Sequence, residues 1–326
     1  MTRRSSTLAF IAGLVASLAL SGGAIAADSY PSRAVHLVFG LSAGSSSDTM
    51  IRIVAQKLSE RWKQPVIVDN RPGAGGNIAA EEVSHAPADG YTLLLSNNSI
   101  AIAPSFYKHL NYDPLRDLIP ITQVSSVPHI LCVNPSMPVK TVQDIVSLAK
   151  AKPTQINFSS AGVGQTDHMA MELFAEMTGI RMTHIPYKGG PPALYAVVSG
   201  DVSMDFPGLT VAMPLMKSGK IKCLAVSTST RSPTMPDVPT MQEEGVKGYN
   251  HTLWNGVFAP AGTPQAIIDR VAAGFAEVLA SPDVKARLAT LGAEPIGTSP
   301  AQFEKDFHAE VAKWAQLIKA TGISGG

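Results

Sequence analysis

Ala34-Val-His-Leu-Val-Phe-Gly40-Leu-Ser-Ala-Gly-Ser-Ser-Ser-Asp48, continuing as Thr49-Met-Ile-Arg-Ile-Val-Ala-Gln-Lys-Leu-Ser-Glu-Arg61, is the stretch on which the fold turns. Ala34–Phe39 is a short continuous apolar run, as in a strand buried on both faces. Gly40–Asp48 is a loop of small and hydroxyl residues, and Thr49–Arg61 repeats its apolar residues at helical spacing. Strand, small-residue loop and helix in that order form the unit of an α/β sheet.

The same grammar continues outward. Val66–Val68 reads as a strand, Asn70–Asn77 as a loop, Ile78 onward as a short helix and Tyr91–Leu95 as the next strand. The order predicts a mostly parallel sheet with helices on its faces. A second series starts near Ile130. Its helix Val142–Ala151 has Thr141 as N-cap and Asp144 three residues on, a capping-box pattern. Ile156–Phe158, Met182–Ile185, Val202–Phe206 and Cys223–Val226 read as its later strands, with a helix from about His168 to Thr178. The first pattern then returns. Trp254–Phe258 reads as a strand, and Thr263-Pro264 as a cap and first-turn proline. Phe303, Phe307, Val311, Trp314 and Ile318 recur at helical spacing, which predicts core rather than a cofactor box. No repeat at solenoid periods is visible.

The 326 residues exceed what one small core needs, so two domains are expected. Apolar residues at 45% and charged residues at 16% mark a globular chain. Basic and acidic side chains nearly balance, 26 against 25, with no long basic run, so the footprint of a nucleic-acid binder is missing. Arg3-Arg4, the apolar run Leu8–Leu20 and the small-x-small Ala24-Ile-Ala26 predict a signal peptide over 1–26, removed on secretion. The histidines are scattered, so no metal or cofactor is expected. Cys132 and Cys223 sit in apolar, strand-like contexts. An oxidising compartment permits a bridge; small thiols also pack well in cores, and buried free thiols are the expectation.

Three small-residue loops stand between a strand and a helix: Gly40–Asp48, Ser159–Asp167 and Tyr187–Pro192. In open α/β sheets ligands bind at the carboxyl ends of strands, where helix N-termini present unpaired N–H groups to anions. Convergence of such loops suits a carboxylate. A rival reading is a secreted serine hydrolase, because Gly40-Leu-Ser42-Ala-Gly44 matches a nucleophile elbow and Asp205 and His251 follow in order. Against it, that elbow falls on the first strand of the mature chain, where no room remains for the earlier strands and upstream oxyanion loop of a hydrolase.

The motifs Tyr30-Pro-Ser-Arg, Asn70-Arg-Pro-Gly-Ala-Gly-Gly-Asn77, Ala88-Asp-Gly-Tyr-Thr-Leu-Leu, Ser160-Ala-Gly-Val-Gly-Gln-Thr-Asp-His168, Pro186-Tyr-Lys-Gly-Gly-Pro-Pro-Ala and Phe258-Ala-Pro-Ala-Gly-Thr-Pro resemble the Bug-type, TctC-like periplasmic receptors of tripartite tricarboxylate transporters. The likeness spans Tyr30 to Ile323. It implies a type II periplasmic-binding-protein fold: two α/β lobes, 27–125 plus 252–326 and 126–251, joined by two crossing segments around a ligand cleft. It implies a non-enzymatic, monomeric receptor in the periplasm, delivering a small organic acid to membrane transporter subunits without nucleic acid or cofactor. Carried over by position, the ligand contacts are Leu41, Ser42, Ala43, Ser46, Asp48, Ser96 and Asn98 in the first lobe. In the second they are Ser160, Ala161, Gly162, Gln165, Thr166, His168, Gly189, Asp205 and Phe206.

Two departures from the family pattern bear on the ligand. Leu41–Ser47 replaces the usual Phe-Pro-Ala-Gly-Gly-Gly-Thr, which adds hydroxyls. Pro207-Gly208 stands where some members carry Asp-Asn, which weakens the case for an ammonium-bearing ligand. A dicarboxylate, aliphatic or aromatic, is the expected cargo. A periplasmic sensor feeding a membrane signalling partner is the alternative within the same fold.

Overall fold

The computed structural model describes residues 30–325, apart from the side chain of Ser46. The expected signal peptide over 1–26 lies outside the described residues. Among those described, no helix is long and apolar enough to cross a membrane.

Two sheets organise the chain. The first runs, in spatial order, β11 (Glu294–Pro295), β4 (Leu118–Pro128), β10 (Thr252–Pro260), β3 (Thr92–Asn97), β1 (Val35–Phe39) and β2 (Val66–Asn70). The second runs β7 (Thr183–Pro186), β6 (Asn157–Ser160), β8 (Met204–Asp205), β5 (Ile130–Val133) and β9 (Lys222–Val226). This is the expected α/β architecture, but the sheets are mixed rather than mostly parallel. β1 pairs parallel with β2 and β3, and β6 with β7 and β8. β10 runs antiparallel to both its neighbours, and so does β5. These two strands are the ones that arrive from the other sheet. β4 passes through His129 into β5, and His251 leads from the second side back into β10. A strand entering by such a crossing is free of the right-handed βαβ connection that keeps its neighbours parallel.

Burial follows strand alternation. Val35, Leu37 and Phe39 of β1 join the core made with Met50, Ile51, Val54 and Leu58 of α1 (Ser46–Trp62) and Ile268, Val271 and Phe275 of α8 (Gln265–Ala280). Val38 points the other way, into a core with α2 (Asn77–Ser84), α3 (Ser99–Phe106) and Phe303, Phe307 and Trp314 of α10 (Pro300–Thr321). The aromatics of α10 are core, as expected. A Cβ on Gly256 of β10 would meet the Phe303 ring at 2.1 Å, so glycine there is what lets the ring approach the strand this closely. In the second sheet, Leu131, Phe158 and Phe174 pack between the strands and α4 (Val142–Ala151) and α5 (Thr166–Thr178). Leu194 of α6 (Gly190–Ser199) and Leu209 and Ala212 of α7 (Leu209–Lys217) cover the opposite face and join the first core, so one apolar cluster spans both sheets.

Local chemistry explains several boundaries. Thr141 and Asp144 close the capping box expected at α4. Thr263 does not cap α8: its hydroxyl donates to the Pro260 carbonyl, and Pro264 takes the cap position without a side-chain bond. The expectation of free thiols is also overturned. Cys132 and Cys223 face each other across β5 and β9 and form a disulfide, because antiparallel pairing brings their Cα atoms to 4.0 Å.

The crossings are tied together by Ser227, which is fully buried just after β9. Its N–H donates to the His129 carbonyl and its carbonyl accepts from His251 N–H. Its Oγ accepts from His129 N–H and donates to the His251 carbonyl. The two imidazoles stack, with centroids 4.9 Å apart and planes 17° apart.

Candidate functional site

A cavity of about 790 Å³ lies between the sheets, within the size range of small-molecule sites. The loops after β1, β2 and β3 contribute Gly40–Ala43, Ser45, Ser47, Pro72–Gly76 and Asn97. Those after β6, β7 and β8 contribute Ala161–Val163, Gln165–Asp167, Lys188–Pro192, Pro207 and Gly208. All stand at carboxyl ends of strands, as α/β sites do. His129 and Leu253 face the cavity from the crossings, and Tyr107 from the end of α3.

Two helix starts from opposite sheets meet here. In α1 the Ser45 hydroxyl accepts from Asp48 N–H at 3.2 Å, and the hydroxyl of Ser47, almost fully buried in the cavity wall, has no partner. In α5 Gln165 occupies the cap position but makes no capping bond. Instead its Oε1 accepts from Ser99 Oγ at 3.1 Å, a bond that joins the two sides. The sides also touch at Ser42, 3.8 Å from where a Cβ on Gly189 would stand, and through Thr210 Oγ1, which donates to the Leu291 carbonyl at 2.7 Å.

Of the expected contacts, Leu41, Ser42, Ala43, Ala161, Gly162, Gln165, Thr166 and Gly189 line the cavity. The others do not. Asp48 builds the loop behind it, accepting from Gly44 N–H and Arg52 Nε at 3.0 Å each and from Asn70 Nδ2 at 3.0 Å. Burial pushes its carboxyl up, but those three hydrogen bonds and the Arg52 charge outweigh it and hold it below the usual range. Ser96 is spent in the register of β3 opposite Gly256. Asn97 is the strand-end residue that faces the cavity, while Asn98 turns away to bond Glu310 and Trp254 N–H. Ser160 Oγ bonds His184 Nε2 at 2.6 Å. His168 stacks on that ring at 3.9 Å and accepts from Gly164 N–H, which braces the loop from behind. Phe206 lies stacked on Tyr249 in the core. Ser46 is at the start of α1, and its side chain lies outside the described residues.

Several lining residues escaped the sequence reading. Pro72–Gly76 was legible as a glycine-rich loop. Gly40 shows why it stays close: a Cβ there would be 2.5 Å from Gly76 Cα. Lys188, exposed at the rim, is the one cation in the lining among the described residues. Asp167 lines the cavity too, and burial raises its carboxyl to about 6 against the backbone bonds it accepts. Asp205 lies deeper, raised well above its ordinary value by burial and by Asp167. Burial also lowers His129 to about 3, and burial, with help from the His129 and Lys313 charges, holds His251 well below its ordinary value.

No relay joins Ser42, His251 and Asp205. Ser42 is exposed on the cavity loop, whereas His251 is sealed against His129 and Trp314 with neither ring nitrogen hydrogen-bonded. The hydrolase arrangement is therefore not built. Among the described residues no cluster of metal-ligating side chains is found.

The sequence model of a family described as tripartite tricarboxylate transporter family receptor matches residues 50–323. The protein BugT of Bordetella pertussis is 35% identical over 300 residues, covering 91% of this chain and 92% of its own. Among solved structures, R. palustris Rpa4515 with adipate superposes with a TM-score of 0.86 at 37% identity, over 90% of this chain and 99% of that one. MatC from Rhodopseudomonas palustris with bound malate gives 0.83 at 30%, over 89% and 100%.

Proposed function

The chain belongs to the tripartite tricarboxylate transporter receptor family, and on that premise we propose that it captures a small dicarboxylate, aliphatic or aromatic, by closing two lobes and delivers it to the membrane subunits of such a transporter. The family is one of periplasmic solute-binding receptors, not of enzymes. The finer proposal includes the lobes themselves, 27–125 plus 252–326 and 126–251, and export of this chain to the periplasm.

One observation carries the ligand class. The first turns of α1 and α5, from opposite sheets, open into one cavity, with the unpartnered Ser47 hydroxyl beside the first. Each helix start offers N–H groups and partial positive charge to an anion. Two such ends facing each other suit a molecule with an oxyanion at each end. Between them Leu41, Val211 and Leu253 supply apolar wall for a carbon skeleton. Adipate in Rpa4515 and malate in MatC are ligands of that description. The Ser99–Gln165 bond and the Ser42–Gly189 contact are what closure would form, and a ligand favours closure only by its preference for that state.

The test is a thermal-shift and calorimetry panel on protein stripped of ligand by partial unfolding. It holds adipate, malate, tricarboxylates, aromatic mono- and dicarboxylates and amino acids. A saturable rise in melting temperature with dicarboxylates, without their consumption, is expected. Tight binding of amino acids with dicarboxylates silent would refute the ligand class.

A further inference from the structure

His129 sits where the first crossing meets the cavity, and which of its nitrogens carries the proton decides what the cavity offers an anion. Its Nε2 lies 3.3 Å from Oγ1 of Thr166, in the first turn of α5, while its Nδ1 is buried with no partner. Both residues line the cavity, His129 only 1% and Thr166 6% exposed. His251 covers one face of the ring at 4.9 Å, and Phe206 meets it edge-on at 6.2 Å. Thr166, His251 and Phe206 carry no carboxylate that would hold an imidazolium in so closed a place, so the ring is neutral and has one N–H.

Two arrangements satisfy the contact with Thr166. With the proton on Nδ1, the Thr166 hydroxyl donates to Nε2, its oxygen lone pairs are left for the cavity, and a buried N–H has no acceptor. With the proton on Nε2, the ring donates to Thr166 Oγ1 and the hydroxyl hydrogen is the part left free. An oxyanion beside the turn separates the two, because lone pairs repel it whereas an O–H makes a charge-assisted hydrogen bond to it. The acceptors around that turn are already committed to the protein. Asp167 Oδ2 accepts from Ala161 N–H at 2.6 Å and Oδ1 from His168 N–H at 2.9 Å, and Gln165 Oε1 accepts from Ser99 Oγ at 3.1 Å. The Thr166 hydroxyl is therefore the group whose sense is still to be set, and the ring beside it sets it.

We propose that His129 is a positioning residue for the ligand: neutral and protonated on Nε2, it donates to Thr166 Oγ1 and so aims the Thr166 hydroxyl hydrogen at the ligand's oxyanion. The proposal rests on the carboxylate reading above. His129 acts through this one hydroxyl, which lies in the first turn of α5, where backbone N–H groups also await an acceptor. By linkage, the factor by which the anion favours the Nε2–H ring is the factor by which that ring favours the anion.

The test combines spectroscopy on the unaltered protein with a mutant cycle, using adipate as probe and malate where adipate is silent. Nitrogen-15 spectra of histidine-labelled protein distinguish a protonated from a bare ring nitrogen, and the His129 signals are those missing from His129→Gln. With ligand bound, Nε2 should be protonated and Nδ1 bare. His129→Phe keeps the stacked ring and removes the donor; calorimetry should show affinity falling about two- to tenfold, the value of one ordinary hydrogen bond. His129→Gln restores an N–H at similar reach and should recover most of that loss. In a Thr166→Val background, itself weakened at least about tenfold, His129→Phe should cost less than about twofold more. An imidazolium or an Nδ1–H ring in the occupied protein overturns the proposal, and so does an equal cost of His129→Phe with and without the Thr166 hydroxyl; both leave the carboxylate reading intact. Silence of the unaltered protein toward every carboxylate overturns both together.

Discussion

Gly40→Ala isolates how tightly the cavity's first wall is built. The added Cβ would stand 2.5 Å from Gly76 Cα and 2.9 Å from the Gly76 carbonyl oxygen, where ordinary contact begins near 3.4 Å. Both obstacles are backbone, so no rotamer change relieves them; the 73–76 loop must retreat by roughly 1 Å, an overpacking of about 1–3 kcal/mol. Since a domain of this size loses about 2–4 °C per kcal/mol, the melting temperature should fall by roughly 2–12 °C. Pro72–Gly76 and Gly40 line the cavity together, so dicarboxylate affinity should drop at least about tenfold, a change worth about 1.4 kcal/mol. Gly190→Ala is the control. It also lines the cavity, but nothing lies within 4 Å of its added Cβ, so stability should hold. Thermal denaturation and calorimetry read both quantities. If Gly40→Ala melts and binds like the unaltered protein, the wall yields freely and the close-approach reasoning is wrong.

Replacing Cys132 and Cys223 by Ala opens a covalent loop with a sequence separation of 91, and chain-entropy reasoning puts the loss at about 4–5 kcal/mol, read as a lower urea midpoint; an unchanged midpoint would count against the bridge. NMR of labelled imidazoles should find His129 and His251 neutral throughout pH 5–8, and a midpoint above pH 5 for either refutes their sealed environment. The sign for stability follows. Unfolded histidine takes up a proton near 6.5 while buried His129 waits until about 3, so its contribution is lost as pH falls through that window, by up to about 1.4 kcal/mol per pH unit. Ser227→Ala leaves His129 N–H and the His251 carbonyl without their side-chain partner, at about 1–3 kcal/mol each. Urea unfolding measures it, and a change below about 0.5 kcal/mol would mean that water replaces the hydroxyl.

Much of the fold was legible because continuous apolar runs and capping residues act locally. Val35–Phe39 and α4 with its Thr141–Asp144 box stand close to where the sequence put them. β4 was not read. Its Pro120 and Pro128 argue against a strand, yet the register with β10 shifts beside Phe258, opposite Pro120, and such irregularities accept proline. The reversal of β5 and β10 depends on which sheet receives them, a long-range fact that no local pattern records. At the site, glycine and serine content marked the right loops, but which strand-end residue faces inward is a matter of one register step. Asn97 rather than Ser96 or Asn98 therefore faces the cavity. The disulfide likewise needed the pairing of β5 with β9.

Ser227 makes the two crossings a single mechanical part. Independent connections would let one lobe twist, slide and tilt against the other. With His129 and His251 both clasped to one residue by four hydrogen bonds, any motion that keeps those bonds has its axis pinned beside their stacked rings. The remaining freedom is a swing, and points travel in proportion to their distance from the pin. A swing of that kind would return the same atoms to the same places each time it shut, so under the proposed transport function the outer surface would carry one bit, occupied or empty.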